Sequence, residues 1–188
     1  LMEFNSMLNR LLRANPESAK RALRLRTFCV CPLNEECGLI EWVPNTKTLR
    51  DLVVGLYTDQ GTSTSTKEIK VVYDKYLSKY GKSRRMAEAF PGAVKFMAEW
   101  ALKKYKPVFH RWLTQSFPEP SRWFATRQNV ARSTAVWSMV GYILGLGDRH
   151  GENILFDVKN GECVHVDFAC LFEKGLALAE PEEDPRKV

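Results

Sequence analysis

The sequence predicts an α+β fold, with short strands gathered near its start and helices after them. Three observations carry this. Residues 24–31 and 37–43 alternate in the manner of strands and are separated by Pro32-Leu33-Asn34-Glu35-Glu36, a turn-forming stretch. Residues 93–144 place apolar side chains at helical spacing instead. Near the end, Ile154-Leu155-Phe156 and Cys163-Val164-His165-Val166 flank Asn160-Gly161, a strong hairpin signal because both residues tolerate positive φ.

The elements follow in order. Phe4, Met7, Leu8, Leu11 and Leu12 share a helical face, and that helix should stop near Pro16. The two strands come next, and Pro44-Asn45-Thr46 breaks the pattern. Thr48 is placed to cap a helix running towards Tyr57, and Gly61-Thr62-Ser63-Thr64-Ser65-Thr66 is a polar loop. A helix is expected over 67–80. A second over 93–105 aligns Ala93, Phe96, Met97, Trp100 and Ala101, and a third over 108–117 aligns Phe109, Trp112, Leu113 and Ser116. Pro118 and Pro120 end that run. The longest helix should span 127–144, with Ala131, Thr134, Ala135, Ser138 and Tyr142 along one side. No internal repeat is present.

At 188 residues the chain suits one domain with a substantial core, and its apolar fraction of 45% agrees. No run of 18 apolar residues occurs, so no transmembrane helix and no membrane role are expected. The start lacks a charged-then-apolar leader and opens in mid-pattern, as a piece of a longer protein would. Five cysteines without a secretory signal favour reduced thiols in the cytosol or nucleus. Cys29, Cys31 and Cys37 lack a C-x-x-C spacing or a nearby histidine, so buried packing is expected rather than zinc. Residues 67–112 hold twelve Lys or Arg against four Asp or Glu. No aromatic platform organises them, so a solvated or protein-docking face is expected and not nucleic-acid binding.

The chemistry sits in Gly145-Leu146-Gly147-Asp148-Arg149-His150-Gly151-Glu152-Asn153, followed by His165-Val166-Asp167-Phe168. Two carboxylates, an imidazole and a carboxamide are held by the hairpin. With its turn centred between Asn160 and Gly161, Asn153 should lie opposite Phe168, beside Asp167. Two oxygen donors at adjoining strand ends suit a hard cation such as Mg²⁺. Asp148 precedes Asn153 by five residues, the step found in the protein-kinase catalytic loop, with the triplet order reversed.

That reversed Asp-Arg-His triplet resembles the phosphatidylinositol-3-kinase-related kinases. Leu39-Ile40-Glu41-Trp42-Val43, Ser133-Thr134-Ala135-Val136, Ser138-Met139-Val140-Gly141-Tyr142-Ile143-Leu144 and Gly161-Glu162-Cys163-Val164-His165-Val166-Asp167 extend the resemblance to the ATR-type checkpoint branch of that family. The resemblance covers residues 1 to about 181. It implies a truncated two-lobe kinase fold of the phosphoinositide-3/4-kinase type. Residues 1–43 would end the small lobe, and residues 44–188 would form a mostly helical large lobe. The latter would hold the catalytic loop at 145–153 and an activation segment at 167–188.

The resemblance further implies ATP with Mg²⁺, or Mn²⁺ as an alternative. Adenine would rest on Trp42 and hydrogen-bond backbone near Val43, above Leu155 and Val166, with Thr48 at the pocket mouth. Asn153 and Asp167 would bind metal, Asp148 would orient the substrate hydroxyl, and His150 would stabilise the transferring phosphoryl. Arg149 is read as structural, His165 as packed within its strand, and His110 as a surface residue. The implied activity is serine/threonine phosphorylation before Gln in nuclear DNA-damage signalling, with an obligate partner protein.

Ala169 follows Asp167-Phe168 where relatives have Gly or Asn, so the backbone there is either right-handed or strained. A glycine-rich loop and a phosphate-binding lysine are not seen ahead of residue 38, so the isolated chain is expected to be inactive. Residues 176–188 fit the family poorly. Two alternatives stand beside the kinase reading. One is a truncated, non-catalytic interaction module. The other is a phosphoinositide lipid kinase, disfavoured because Lys174 followed by an acidic tail gives no basic cluster for a head group.

Overall fold

Asn15 ends the first helix and starts the second. Helix α1 (Met2–Ala14) gives way to α2 (Pro16–Lys20), whose first turn is capped by the Asn15 side chain accepting from Glu17 N and Ser18 N. Pro16 occupies the first helical position, where its missing N–H costs nothing. The computed structural model describes residues 1–80 and 86–172. The chain divides into two compact units, Leu1–Asp51 with Leu113–Val188, and Leu52–Trp112.

In the first unit, residues 24–28 join no ladder, and only Val30–Pro32 (β1) forms a strand, antiparallel to Gly38–Ile40 (β2), with Cys29 O accepting from Glu41 N at 2.8 Å just before it. The expected longer strand is lost for a local reason. Asn9 of α1 binds Leu25 by both its backbone groups, Nδ2 donating to Leu25 O at 2.8 Å and Oδ1 accepting from Leu25 N at 2.7 Å. Those groups are therefore unavailable to a ladder. Arg24 pairs with buried Glu162 at 3.1 Å, and Arg26 with buried Asp157 at 2.6 Å, which ties the segment to the later hairpin.

All six residues of β1 and β2 are exposed, and so are Cys29, Cys31 and Cys37. The expectation of buried thiols is corrected: a two-stranded ribbon with no covering layer buries neither face. Cys163 is the buried one, and burial pushes its thiol up to about 12.

A three-stranded antiparallel sheet follows, ordered Thr46–Thr48 (β3), Ile154–Asp157 (β4), Cys163–His165 (β5). Strand β3 falls where a break in pattern was expected. It is too short and too polar to show alternation, and it is entered through Asn45 at φ 58°. The β4–β5 register pairs Ile154 with His165 and Phe156 with Cys163. Asn153 thus stands opposite Val166, accepting its N–H at 3.1 Å, not opposite Phe168. The turn is longer than the expected two residues. Asp157 Oδ1 accepts from Lys159 N and Asn160 N, and Gly161, not Asn160, takes the positive φ. A shift of two residues preserves which side chains share a face. Gly161 is also crowded: a Cβ there would collide with Thr126 and Val130 of the long helix.

That helix, α8, spans Pro120–Leu144, so it begins seven residues before the expected start. Pro120 opens it, and the Glu119 carboxylate caps it by accepting from Ser121 N and Arg122 N. The Ser121 hydroxyl first, and then those backbone hydrogen bonds, lower the pKa of Glu119. Gly145 ends it in the left-handed conformation. Its buried side carries Ser133, Val136, Trp137, Val140 and Leu144, while Ala131, Thr134, Ala135, Ser138 and Tyr142 lie exposed. Trp137 is 1% exposed; its Nε1 donates to Cys163 O at 3.2 Å, and its ring stacks on His165 at 4.6 Å and on Phe168 at 5.9 Å. His165 is therefore packed as expected, and burial pushes its imidazole down to about 4. It makes a ring stack rather than a structural hydrogen bond at Nδ1, which has no partner.

Helix α3 (Leu49–Asp59) crosses from the first unit into the second. Its start is capped by Thr48 Oγ1 accepting from Asp51 N at 2.9 Å, as the sequence led us to expect. The second unit continues with α4 (Thr66–Tyr80) and α5 (Met86–Phe96), followed by a π-helical turn (Met97–Ala101) and α6 (Leu102–Lys104). The helix expected to start at residue 93 therefore starts at 86, passing through Pro91. Phe96 is the hub, with Tyr73, Tyr76 and Trp100 around its ring at 5.1, 5.8 and 5.2 Å. Met97, expected on the shared face, is exposed at the start of the π turn. Tyr57 donates to Lys106 O at 2.9 Å, and Lys104 pairs with Glu68. Helix α7 (Phe109–Ser116) leads back to the first unit, and His110 is exposed. Lys174 and the acidic tail, with the rest of the activation segment beyond Phe172, lie outside the described residues.

Trp137→Ala should cost about 3–5 kcal/mol, the range for removing a large buried aromatic. It also leaves Cys163 O without its donor. Urea unfolding reads this; a loss under about 1 kcal/mol would show that the stack does not anchor the hairpin to α8.

Candidate active site

One cavity of about 790 Å³ in the first unit gathers most of the residues singled out from the sequence. Trp42, Val43, Thr48, Leu155, Val166 and Asp167 all line it, joined by Phe28, Val30, Ile40, Glu41, Thr46, Glu152, Phe168 and, from the start of α1, Leu1 and Met2. The ladders explain the convergence. Val30 and Ile40 are paired neighbours across β1–β2, and Trp42 continues the same face two residues on. Thr48 pairs with Leu155 across β3–β4. The lining is mainly apolar. Trp42 is 88% exposed, with its ring open to whatever enters. Val43 is buried, its carbonyl accepts from the Thr46 hydroxyl at 2.9 Å, and its N–H has no acceptor among the described residues.

Asp148, His150 and Asn153 are in the loop before β4. Asp148 stands at φ 53° and Asp167 at φ 56°, left-handed conformations that aspartate tolerates better than most residues. Ala169 is not among the positive-φ residues, so the first of its two alternatives holds: the turn is made one residue before Phe168, at Asp167. Asp167 Oδ1 accepts from Ala169 N at 3.2 Å, which fixes the carboxylate over that turn.

Asn153 is buried, and its Nδ2 donates to Asp148 O at 3.0 Å and Asp148 Oδ2 at 3.4 Å. The amide oxygen is left as the group's remaining donor to a cation. His150 Nδ1 accepts from Glu152 N at 3.2 Å, so in the neutral ring the proton sits on Nε2. Nε2 lies 3.8 Å from Asp148 Oδ2.

Arg149 organises the whole. Its guanidinium donates to the carbonyls of Gly147, Asn153, Val166 and Asp167, and lies 5.8 Å from the Phe168 ring. Burial lowers its pKa, while Asp148 and Asp167 pull the other way. A structural role for Arg149 was expected; the reach of its contacts was not, because backbone acceptors leave no trace in sequence. Glu152 was also passed over, although its place between His150 and Asn153 was a usable signal.

The donor set fits a hard divalent cation. Asn153 and Asp167 offer oxygen only, and no group of three His, Cys, Asp or Glu that could hold a metal exists among the described residues. Such a site leaves the remaining positions to water and phosphate oxygens, as Mg²⁺ prefers.

Comparison with known proteins agrees with this arrangement. Residues 1–187 match the family described as phosphatidylinositol 3- and 4-kinase. The chain is 47% identical over 188 residues to the serine/threonine-protein kinase ATR of Oryza sativa subsp. indica, covering 98% of this chain and 6% of that protein. It is 47% identical over 185 residues to protein kinase rad3 of Schizosaccharomyces pombe, covering 98% of this chain and 7% of that one. Among solved structures, "Tel1 kinase butterfly symmetric dimer" superposes with a TM-score of 0.74 at 29% identity, over 93% of this chain and 7% of that chain. "FAT and kinase domain of CtTel1" gives 0.71 at 32%, over 92% and 12%. The resemblance drawn from the motifs and the expected fold class are thus borne out. The chain spans only 6% to 7% of the length of these curated relatives.

Arg149→Lys keeps the charge but replaces a planar fork with a point donor that cannot reach four carbonyls. Stability should fall by about 2 kcal/mol, and amide hydrogen exchange at Asn153 and Val166 should quicken. Unchanged exchange at both would show that the strand exit and the loop hold together without the guanidinium.

Proposed function

Because this chain belongs to the phosphatidylinositol 3- and 4-kinase family, we propose that it carries the nucleotide-binding and catalytic residues of an ATR-like serine/threonine protein kinase. The observation that carries the reading is the junction of an apolar cavity with a loop and strand exit whose backbone carbonyls, at Asn153, Val166 and Asp167, are gathered by one guanidinium. Residues 1–43 are read as the end of the small lobe and residues 44–188 as the large lobe. Adenine is read onto the Trp42 face, with Val43 N–H as its donor and Leu155 and Val166 beneath it. An exposed π-face beside an unsatisfied N–H matches the two needs of a purine. Thr48 stands at the mouth.

Asn153 and Asp167 would hold Mg²⁺, or Mn²⁺ in its place. The metal, when bound, would offset charge on the nucleotide phosphates. Asp148 would accept a hydrogen bond from the substrate hydroxyl and orient it. Its carboxylate is steadied by Asn153 Nδ2 and left partly open to solvent. His150, with its proton on Nε2, would donate towards the phosphoryl group as charge develops there. The substrates are read as proteins with Ser or Thr before Gln, the setting as DNA-damage checkpoint signalling and repair in the nucleus, and the whole kinase as working with an obligate partner protein. The support is the identity with relatives named ATR and rad3.

Asp148→Asn in the whole kinase keeps the size of the side chain and removes its charge. kcat should drop by roughly 10²–10⁴ with little change in nucleotide KM. Near-normal turnover would remove Asp148 from the reaction. The substrate assignment is tested separately with a Ser-Gln peptide, a Ser-Ala peptide and phosphoinositide vesicles. The Ser-Gln peptide should be preferred, and faster turnover of vesicles, or indifference to Gln, would overturn it.

A further inference from the structure

Three carboxylates line the cavity, and they differ in how far they are committed. Glu41 Oε2 accepts the backbone N–H of Cys29 at 2.7 Å. Asp167 stands at the metal end. Glu152 has one side-chain partner among the described residues, Arg50 at 3.5 Å, in a pair whose members are 59% and 60% exposed. An ion pair that open holds its members weakly. The two hydroxyl side chains of the lining are engaged: Thr46 Oγ1 donates to Val43 O, and Thr48 Oγ1 accepts from Asp51 N. Glu152 is therefore the lining acceptor best able to take a new donor.

Its position suits one part of a nucleotide. Glu152 directly precedes Asn153, at the phosphate end. Its own neighbour Gly151 accepts the N–H of Arg50, which brings it beside Thr48 at the mouth. A Cβ on Gly151 would stand 3.3 Å from Arg50 N, a tight contact that Arg50 would have to yield to by a few tenths of an ångström. Between a base on Trp42 and phosphates at Asn153 comes the ribose, which presents two adjacent hydroxyl donors. A carboxylate can accept both.

We propose that Glu152 binds the ribose of the nucleotide through its 2′- and 3′-hydroxyls and gives the enzyme its preference for ribonucleotides. This rests on the reading of the cavity as a nucleotide site. The test uses the whole kinase with ATP, 2′-deoxy-ATP and 2′,3′-dideoxy-ATP as phosphoryl donors. The wild type should favour ATP over the dideoxy compound by roughly 10- to 100-fold in kcat/KM, the range for a hydrogen bond to a charged group. In Glu152→Ala the ratio should collapse to within about threefold, through a raised KM for ATP. Glu152→Gln keeps an acceptor oxygen and should fall between. Arg50→Ala should retain the wild-type ratio, which separates ribose binding from upkeep of the surface ion pair. A wild-type ratio near one, or a ratio unchanged in Glu152→Ala, overturns the inference and leaves the nucleotide reading standing. Failure of the wild type to use ATP at all overturns both.

Discussion

A single guanidinium sets the geometry on which the rest of the site depends. Arg149 gathers carbonyls from Gly147, Asn153, Val166 and Asp167, four points on three separate stretches of backbone. Carbonyls brought this close repel one another unless a cation lies among them. The reverse also holds: a partly buried guanidinium needs acceptors, and burial alone lowers its pKa. Each requirement satisfies the other. The loop and the exit of β5 are thereby locked in register, and two aspartates adopt left-handed backbone that they would otherwise leave.

The lock needs a rigid wall behind it, and α8 supplies one. Trp137 holds β5 by a hydrogen bond to Cys163 O and by its stacks on His165 and Phe168. Ser133 adds a second tie, its hydroxyl accepting from Cys163 N at 2.9 Å. Cys163 thus has both backbone groups bound by helix side chains, and its strand cannot slide without breaking two buried hydrogen bonds. From Trp137 through Phe168 to Arg149, ring contacts run from the middle of a 25-residue helix to the loop that holds Asp148.

Much of this was legible in the sequence because its signals are local. Helix α1, the Thr48 cap, the end of α8 and the β4–β5 hairpin each announce themselves within a few residues. The six cavity-lining residues singled out by number came from the family resemblance, and they line one cavity around the β1–β2 ribbon, the β3–β4 ladder and the exit of β5. What escaped was set by long-range contacts. Asn9 captures the backbone of Leu25, 16 residues on, and ends a strand that alternation alone would have extended. Asp157 widens a turn that Asn160-Gly161 would have closed more tightly, because its carboxylate can cap two N–H groups and still meet Arg26. The three cysteines of the first ribbon read as core because strands usually have a covered face, and this one has none.

The charge of the cavity carries a further consequence. Glu41, Glu152 and Asp167 line it, and no Lys, Arg or His does so among the described residues. Arg149 is close by, but four of its five donors are engaged by carbonyls. A polyphosphate entering alone would therefore meet like charge from three exposed carboxylates. On the proposed reading, a cation held by the Asn153 amide oxygen and the Asp167 carboxylate would offset that repulsion and keep places for phosphate oxygens. The buried Asn153 is suited to that task because it adds an oxygen ligand without adding a fourth negative charge. A second aspartate at that position would bind the metal more tightly when empty of nucleotide, yet would press against Asp148, whose carboxylate lies 3.4 Å from the Asn153 amide nitrogen. The amide would meet both demands, its nitrogen donating to Asp148 and its oxygen left for a cation.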